Sequence, residues 1–530
     1  MTASGEQRQA DVVVVGGGPA GAWAALHARA SGAEQVVLVD KGACGTSGAT
    51  ASANTGVWCV PPDPAARAKA IAARHAQSGG LGREELMAAV LETTYRELEQ
   101  LGAWGFPFPS DDAGRPYLAN LRGPDYMAFL RQRLKRAGVT LLDHSPAQEL
   151  LLHDSAVAGV AGYRLQQDLP YTVRASAVVV ASGGVAFLSK TLGCDVNTGD
   201  GLLMAAEAGA ELSGMEFSAQ YGICPAYSSV TKGLPYFWAT FSDESGRVLD
   251  MGDNRMLGVA RALLEGPVYA VLDKANPEVQ RWLREGQPNC FLPHDRLGID
   301  PFSQRFPLTL RCEGTVRGTG GIRLAADDGS TRVPGLYAAG DAASREGLTG
   351  SATGGGAPNA AWAISSGSWA GRAAADHARR VGRASDDRSL RSAGLTGLRP
   401  SDGAGRVEAV EIQRLVQAEV LPIGKNLFRT GDQLTASLRE LDAGWGAARS
   451  SLQAPGRGSV RAREAAALLA SARFAYRSAL ARVESRGLHR RLDRPELDPE
   501  QTHHLVAEGL DEIRVRAIPL RASPHDRAAE

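Results

Sequence analysis

The sequence has no apolar stretch that spans a bilayer: the N-terminal run Val12 to Val15 is far short of the roughly 20 residues a spanning helix needs. The first ten residues are polar and charged and carry no apolar signal core. Membrane insertion is therefore not expected, and a cytoplasmic enzyme is. Charge imbalance is missing too. Lys+Arg and Asp+Glu number 58 each, with no long run of one sign, which argues against nucleic acid or an anionic membrane as partner. Cysteine is sparse. The six (Cys44, Cys59, Cys194, Cys224, Cys290, Cys312) form no C-x-x-C pair, so no zinc site or iron–sulfur cluster of familiar spacing is expected and no metal is assigned. Any cluster chemistry would reside in another protein. Repeats at solenoid or propeller spacing are also absent.

What is present is an ordinary globular composition, 44% hydrophobic and 22% charged, in 530 residues. That length exceeds what one hydrophobic core supports, so at least two packed units are expected. Residues 11–16 read as a buried parallel strand ended by Gly16, because continuous valine suits a strand covered on both faces. A helix from about Pro19 to Ser31 and the apolar run Val36 to Val39 complete a βαβ unit that ends at Asp40. In 61–138 the periodicity is helical, with Leu86, Val90, Leu91, Tyr95 and Leu98 on one core face. Short strands follow from 139 to 182, the last being Ala177 to Ala181. After a mixed insertion between about 200 and 320, Gly335-Leu336-Tyr337-Ala338-Ala339-Gly340-Asp341 reads as another strand ending in a glycine turn. Residues 383–407 look like an exposed linker, and 408–485 look helical.

Gly16-x-Gly18-x-x-Gly21 directly follows a strand and opens a helix, the context that makes the pattern informative. Gly16 permits the tight turn, Gly18 lets the backbone approach a pyrophosphate, and Gly21 allows close packing of helix on strand. The helix N-terminus then meets the phosphate charge. Asp40 stands at the end of the second strand, where a carboxylate accepts hydrogen bonds from a ribose diol. The second turn, Gly340-Asp341, brings a carboxylate to a flavin polyol and favours FAD over NAD. No second G-x-G-x-x-G exists, so no built-in NAD(P)H domain is expected. The redox partner is then a small-molecule substrate or an electron-transfer partner protein.

Four ordered motifs resemble the flavoprotein family of succinate dehydrogenase, fumarate reductase and L-aspartate oxidase, with adenylylsulfate reductase α-subunits as a more distant branch. The first is the nucleotide turn. The second is Thr198-Gly199-Asp200-Gly201 with Ala208-Gly209-Ala210-Glu211-Leu212, running into Met215-Glu216-Phe217. The third is Gly320-Gly321-Ile322 with the strand that ends at Gly340-Asp341, and the fourth is Glu484-Ser485-Arg486-Gly487-x-His489-x-Arg491-x-Asp493-x-Pro495. The resemblance implies an α/β fold: a Rossmann-type FAD-binding domain (1–199 and 321–382), an inserted α+β capping domain (200–320), the linker (383–407) and a C-terminal helical domain (408–530). It nominates a cofactor set. Gly16, Gly18, Pro19, Ala20 and Gly21 form the turn. Asp40 and Lys41 follow the second strand, and Ser47, Gly48, Ala49, Thr50, Ala53, Asn54, Thr55 and Gly56 come from the next loop. Ala181, Ser182, Gly183, Asp200, Gly340 and Asp341 complete it, with Ser366, Gly367 and Ser368 beside the flavin ring.

Three departures qualify the resemblance. Where succinate dehydrogenases carry the histidine that bonds covalently to FAD, this chain has Gly48-Ala49-Thr50-Ala51, so the flavin is expected to be non-covalent. Tyr221 and Val316 stand where the family places two substrate-binding histidines, so the usual dicarboxylate pocket is not intact. Arg261, in Gly258-Val259-Ala260-Arg261-Ala262, resembles the family's proton-transferring arginine, and Arg317 is a second cation for an anionic substrate. Catalytic candidates are thus Arg261, Arg317 and Tyr221. The leading expectation is a dehydrogenase or reductase that moves a hydride between flavin and a C–C or C–N bond of a small anionic substrate. Three alternatives stand beside it: an L-aspartate-oxidase-like amine oxidase using O2, an electron-transfer subunit like that of adenylylsulfate reductase, and a flavin-binding protein without turnover.

Overall fold

The computed structural model describes residues 5–111, 113–382, 389–402 and 407–520. Val12 to Val15 end the strand Glu6–Val15 and are almost wholly buried, as a strand at the centre of a covered sheet requires. This strand pairs in parallel with Val36–Val39 on one side and Leu169–Val180 on the other. Thr140–Leu142 continues the parallel part beyond Val36–Val39, and Leu336–Ala338 returns to pair in parallel with Leu169–Val180. The other half is antiparallel, through Ala156–Arg164, Ala147–His153 and the short strand Arg391–Ser392. The expected linker therefore includes a sheet strand; its residues 383–388 and 403–406 lie outside the described residues.

Helix Pro19–Ala30 packs closely on helix Ala357–Val381. A Cβ at Gly367 or Gly371 would lie 2.4 or 2.1 Å from the carbonyl oxygens of Ala20 and Ala24, so only glycine allows this approach. On Glu84–Ala103, Leu86, Val90, Leu91 and Leu98 are buried, as their spacing predicts, and Tyr95 is half-buried.

The insertion carries its own four-stranded antiparallel sheet, ordered Tyr221–Pro225, Phe306–Cys312, Val268–Val271 and Thr240–Asp243. Ile223, Phe241, Val268, Phe291 and Phe306 belong to a core separate from that of the main sheet. Asp200–Glu207, at the start of the expected insertion, contributes instead to the main core, through Leu202, Leu203 and Met204.

The C-terminal region begins helically, with Ala409–Val420, Gly431–Ser451 and Gly458–Ala481, but it does not end so. His503–Glu508 pairs with Leu212–Ser213 on one edge and Arg514–Pro519 on the other. Pairing with a strand from so much earlier in the chain is a tertiary effect that local sequence does not display. Between helix and strands, the fourth motif forms a buried ion cluster. Arg482 bonds Glu216 at 2.8 Å and Glu484 at 3.1 Å, and Arg486 bonds Glu484 at 2.6 Å. His489 accepts from Arg429 at Nδ1 (2.8 Å) and donates from Nε2 to the Arg482 carbonyl (3.0 Å). These residues pin the C-terminal region to the Glu216 turn.

Two buried histidines are expected to make the fold acid-sensitive. His294 is 3% exposed and accepts from the Tyr227 hydroxyl at 2.7 Å. Burial pushes its pKa down to about 4, and burial together with the Arg429 charge holds His489 well below the usual histidine range. A depressed folded-state pKa gives stability that is present above the unfolded value near 6.5 and is lost as pH falls toward the folded value. The loss is about 1.4 kcal/mol per pH unit for each histidine. In urea denaturation between about pH 6 and 5, below the unfolded pKa, the difference between wild type and His294→Gln should carry that slope. Parallel curves would contradict this assignment.

Candidate functional site

The C-terminal ends of the parallel strands open into one long cleft, the usual place for a ligand in such a sheet. Its empty volume, open mouth included, is about 1440 Å³. The first turn frames one end. Gly16 takes φ +108°, and a Cβ there would lie 2.3 Å from the Ala181 carbonyl oxygen; at Gly21 it would lie 1.9 Å from that of Gly16. Gly18 differs: nothing lies within 4 Å of where its Cβ would be. It is the N-cap of Pro19–Ala30, with no side chain capping the helix, so the helix N-terminus faces open space suited to an anion.

Asp40 ends the second strand and is held by donors. Oδ2 accepts from Gly17 N at 2.6 Å, and Oδ1 from Gly42 N at 2.8 Å and Ser47 Oγ at 3.0 Å. A carboxylate offers about four acceptor positions, so capacity remains for a ligand hydroxyl. Lys41 pairs with Asp200 and, at 2.9 Å, with Glu464 on helix Gly458–Ala481, and it donates to Thr198 Oγ1 at 2.6 Å. Burial works against its charge, but the two carboxylates more than offset this and raise its pKa.

At the second turn, Asp341 is bonded by Arg345 at 2.8 Å. Arg345 is fully buried and also donates to the carbonyls of Thr315 (2.8 Å), Val316 (3.1 Å) and Gly318. It joins two walls of the cleft. Burial pushes the Asp341 carboxyl up, and Arg345 and Arg317 counter this only in part. Past this turn the wall is formed by Val316, Arg317, Gly355, Gly356, Asn359 and Ala360. Helix Ala357–Val381 starts here at Gly356 without a side-chain cap, so a second helix N-terminus adds positive potential.

Most nominated residues line the cleft: Gly16, Gly18, Pro19, Ala20, Asp40, Lys41, Ser47, Gly48, Ala49, Thr50, Ala53, Thr55, Ala181, Ser182, Gly183, Asp200, Arg317, Gly340 and Asp341. Gly21 lies behind the turn, where it brings helix and strand together. Asn54 and Gly56 are not on the wall; Asn54 reaches the Gly286 carbonyl at 2.9 Å. Ser366, Gly367 and Ser368 are a correction. Asn359, Ala360, Ala363 and Ile364 give the cleft face of their helix. The later residues lie farther along the helix axis, beyond the cleft, where Ala20 covers Gly367 and Ser366 Oγ bonds Gly340 N at 2.9 Å.

Two catalytic candidates are also corrected. Tyr221 is 1% exposed and donates its hydroxyl to the Val420 carbonyl at 2.8 Å, so it offers nothing to a substrate. Arg261 is exposed on helix Arg255–Glu265 and does not line the cleft. Its charge, after burial and Arg429, helps push Arg490 down to about 10. Arg317 alone of the three reaches the cleft, with Nε 3.3 Å from Glu313. Sequence reasoning missed Asn197, Asn359 and Arg345. A signal for Asn359 existed: Gly354-Gly355-Gly356 followed by Pro358 marks a second glycine turn opening a helix.

Ser182 Oγ, Asn197 Oδ1 and Asn359 Oδ1 are buried along the cleft with no protein partner. Buried polar atoms are normally satisfied, so these three, with the open cradle at Gly18, fit a polar dinucleotide such as FAD. Among the described residues, no histidine or cysteine lines the cleft. Cys44, just behind it, donates to the Gly17 carbonyl and is pushed up to about 12, by burial first and Asp40 second.

Residues 11–222 match the family model for an FAD binding domain, and 411–526 match that for the C-terminal part of fumarate reductase flavoprotein. The chain is 29% identical to L-aspartate oxidase of Mycobacterium tuberculosis, over 96% of this chain and 97% of that protein. It is 26% identical to the fumarate reductase flavoprotein subunit of the same organism, over 97% of each. In fold it is similar to quinol fumarate reductase from E. coli, with a TM-score of 0.83 at 21% identity over 98% of each chain. Adenylylsulfate reductase from Archaeoglobus fulgidus follows at 0.77 and 18%, over 98% of this chain and 97% of that one. Among the described residues no helix is long and apolar enough to cross a membrane. The chain belongs to the family of FAD-binding oxidoreductases that includes the flavoproteins of fumarate reductase and succinate dehydrogenase and L-aspartate oxidase.

Proposed function

We propose that the protein is a dehydrogenase or reductase that moves a hydride between dissociable FAD and a C–C or C–N bond of a small anionic substrate. The carrying observation is the Arg317 end of the cleft. There a cation and an uncapped helix N-terminus converge, while the nearby Asp341 is paired with Arg345. Bound FAD supplies the two-electron chemistry. The chain's own residues position, orient and exclude water. Gly18 and the first helix N-terminus receive the pyrophosphate, Asp40 a ribose, and Asp341 the polyol. Arg317 holds an acid group of the substrate. The lack of histidine and cysteine among the described cleft residues supports a non-covalent flavin. Amine oxidation with O2 as acceptor is the second reading, favoured by the relatives named L-aspartate oxidase.

Anaerobic mixing with a panel of amino, hydroxy and dicarboxylic acids tests the reading: one class should bleach the visible flavin band, and acid precipitation should release intact FAD. A flavin that dithionite reduces but no acid reduces or reoxidises would sink the enzymatic assignment. Flavin retained by the denatured polypeptide would sink the non-covalent one. Asp40→Ala should weaken FAD binding by about 1.5–3 kcal/mol, the range for hydrogen bonds to a charged group. Unchanged affinity in a flavin titration would remove Asp40 from the ribose site.

A further inference from the structure

Several buried and half-buried cations in and behind the cleft have carboxylate partners, whereas Arg311 and Arg429 bond only neutral groups. Lys41 has Asp200 and Glu464, Arg345 has Asp341, Arg463 has Glu207, and Arg482 has Glu216 and Glu484. Lys232 does not. Its ammonium donates to the Asn54 carbonyl at 2.7 Å, and among the described residues it makes no ion pair. An ammonium has three donors, so two are left without a protein acceptor in a half-buried position. Donors kept from water cost free energy until a ligand or water accepts from them.

Lys232 lines a small pocket of the inserted unit, with Cys290, Phe291 and His294, rather than the cleft wall itself, but its neighbours reach the Arg317 end of the cleft. Asn54, its acceptor, lies between Ala53 and Thr55, both on the cleft wall. Thr231, beside it in the chain, donates to Glu313 Oε1 at 2.7 Å, and that same oxygen lies 3.3 Å from Arg317 Nε. Glu313 thus pairs with Arg317 and accepts from Thr231, while the Lys232 ammonium next in the chain bonds only the Asn54 carbonyl and adds a positive charge that Glu313 does not pair. Burial, and after it the Arg317 charge, lowers the Lys232 pKa, and Glu313 offsets this only in part. That is first the response of a cation taken out of water and second that of one beside a like charge.

We propose that Lys232 is a substrate-binding residue that, with Arg317, receives a carboxylate of the substrate. It would supply the cationic grip that Val316 and the buried Tyr221 do not. This rests on the proposed anionic substrate at the Arg317 end and names a second residue that recognises it.

The test titrates the FAD-loaded protein with malonate and with its neutral diamide, malonamide, following the perturbation of the flavin spectrum. Wild type should bind malonate in clear preference to malonamide. Lys232→Met keeps the length of the side chain and removes its charge. It should weaken malonate by about tenfold or more, the loss of a charge-assisted hydrogen bond, with malonamide binding and FAD content unchanged. Lys232→Arg should recover most of the malonate affinity. Malonate binding within twofold of wild type in Lys232→Met overturns the inference while the flavin-enzyme reading stands. Wild type that ignores malonate's charge, or that purifies without FAD, overturns both. If Lys232→Met fails to fold, Lys232→Gln carries the same comparison.

Discussion

Gly18→Val should yield a folded protein that no longer holds FAD. Gly18 takes φ −70°, a value any residue adopts, and no atom lies within 4 Å of its missing Cβ. The valine side chain meets only the open cradle in front of helix Pro19–Ala30. There it takes the space through which a pyrophosphate reaches the helix N-terminus. The expected loss of FAD affinity is at least about 100-fold, or ~2.7 kcal/mol, with thermal stability close to that of flavin-free wild type. Gly21→Val is the contrasting control. Its Cβ would fall 1.9 Å from the Gly16 carbonyl oxygen, so this variant should fail to fold. A yellow Gly18→Val protein would show that the cofactor does not cross the turn at this point.

Arg345→Met should be strongly destabilising. Breaking a buried pair by removing one partner costs about 3–5 kcal/mol because the other charge is left uncompensated. Here Thr315, Val316 and Gly318 also lose the donor to their carbonyls. Against a total stability of about 5–15 kcal/mol, that is a large share. The Asp341 carboxyl, already pushed up by burial, would rise further and lose its charge toward the polyol. Asp341→Asn combined with Arg345→Met should recover part of the stability but not the FAD affinity. Urea midpoints for the two single variants and the double variant decide this. A loss below about 1 kcal/mol in Arg345→Met would place it among ordinary surface pairs.

What the sequence displayed was local. The turn from Gly16 to Gly21, the valines before it and Asp40 beyond it lie within one βαβ unit, and each obeys a steric or electrostatic rule within a few residues of itself. The structure places these residues around one cleft. What it did not display were partners supplied by distant segments. Arg345 acts through the carbonyls of Thr315, Val316 and Gly318 on an earlier segment, and Lys232 acts through Asn54, far earlier still. No periodicity reports such pairings. Matching motif positions failed where direction mattered: Tyr221 sits at a substrate position by alignment, yet its hydroxyl is spent on Val420. Ser366 to Ser368 occupy the right helix but lie too far along it, where a neighbouring helix covers them. A linker read from composition held a sheet strand, because Arg391–Ser392 needs only an exposed edge at Ala147–His153 to pair with.

The late strand His503–Glu508 has a consequence for how the protein is made. Ser213 waits for Val506 as a ladder partner, and Glu216 waits for Arg482. At a synthesis rate of about 5–20 residues per second, the stretch from Ser213 to Val506 takes roughly 15–60 s to emerge. For that interval the growing chain carries an unclosed strand edge and an uncompensated carboxylate in what will become its interior. The nucleotide turn is translated early, but the sheet to which Leu212–Ser213 belongs gains its His503–Glu508 strand only near the end of synthesis of these residues.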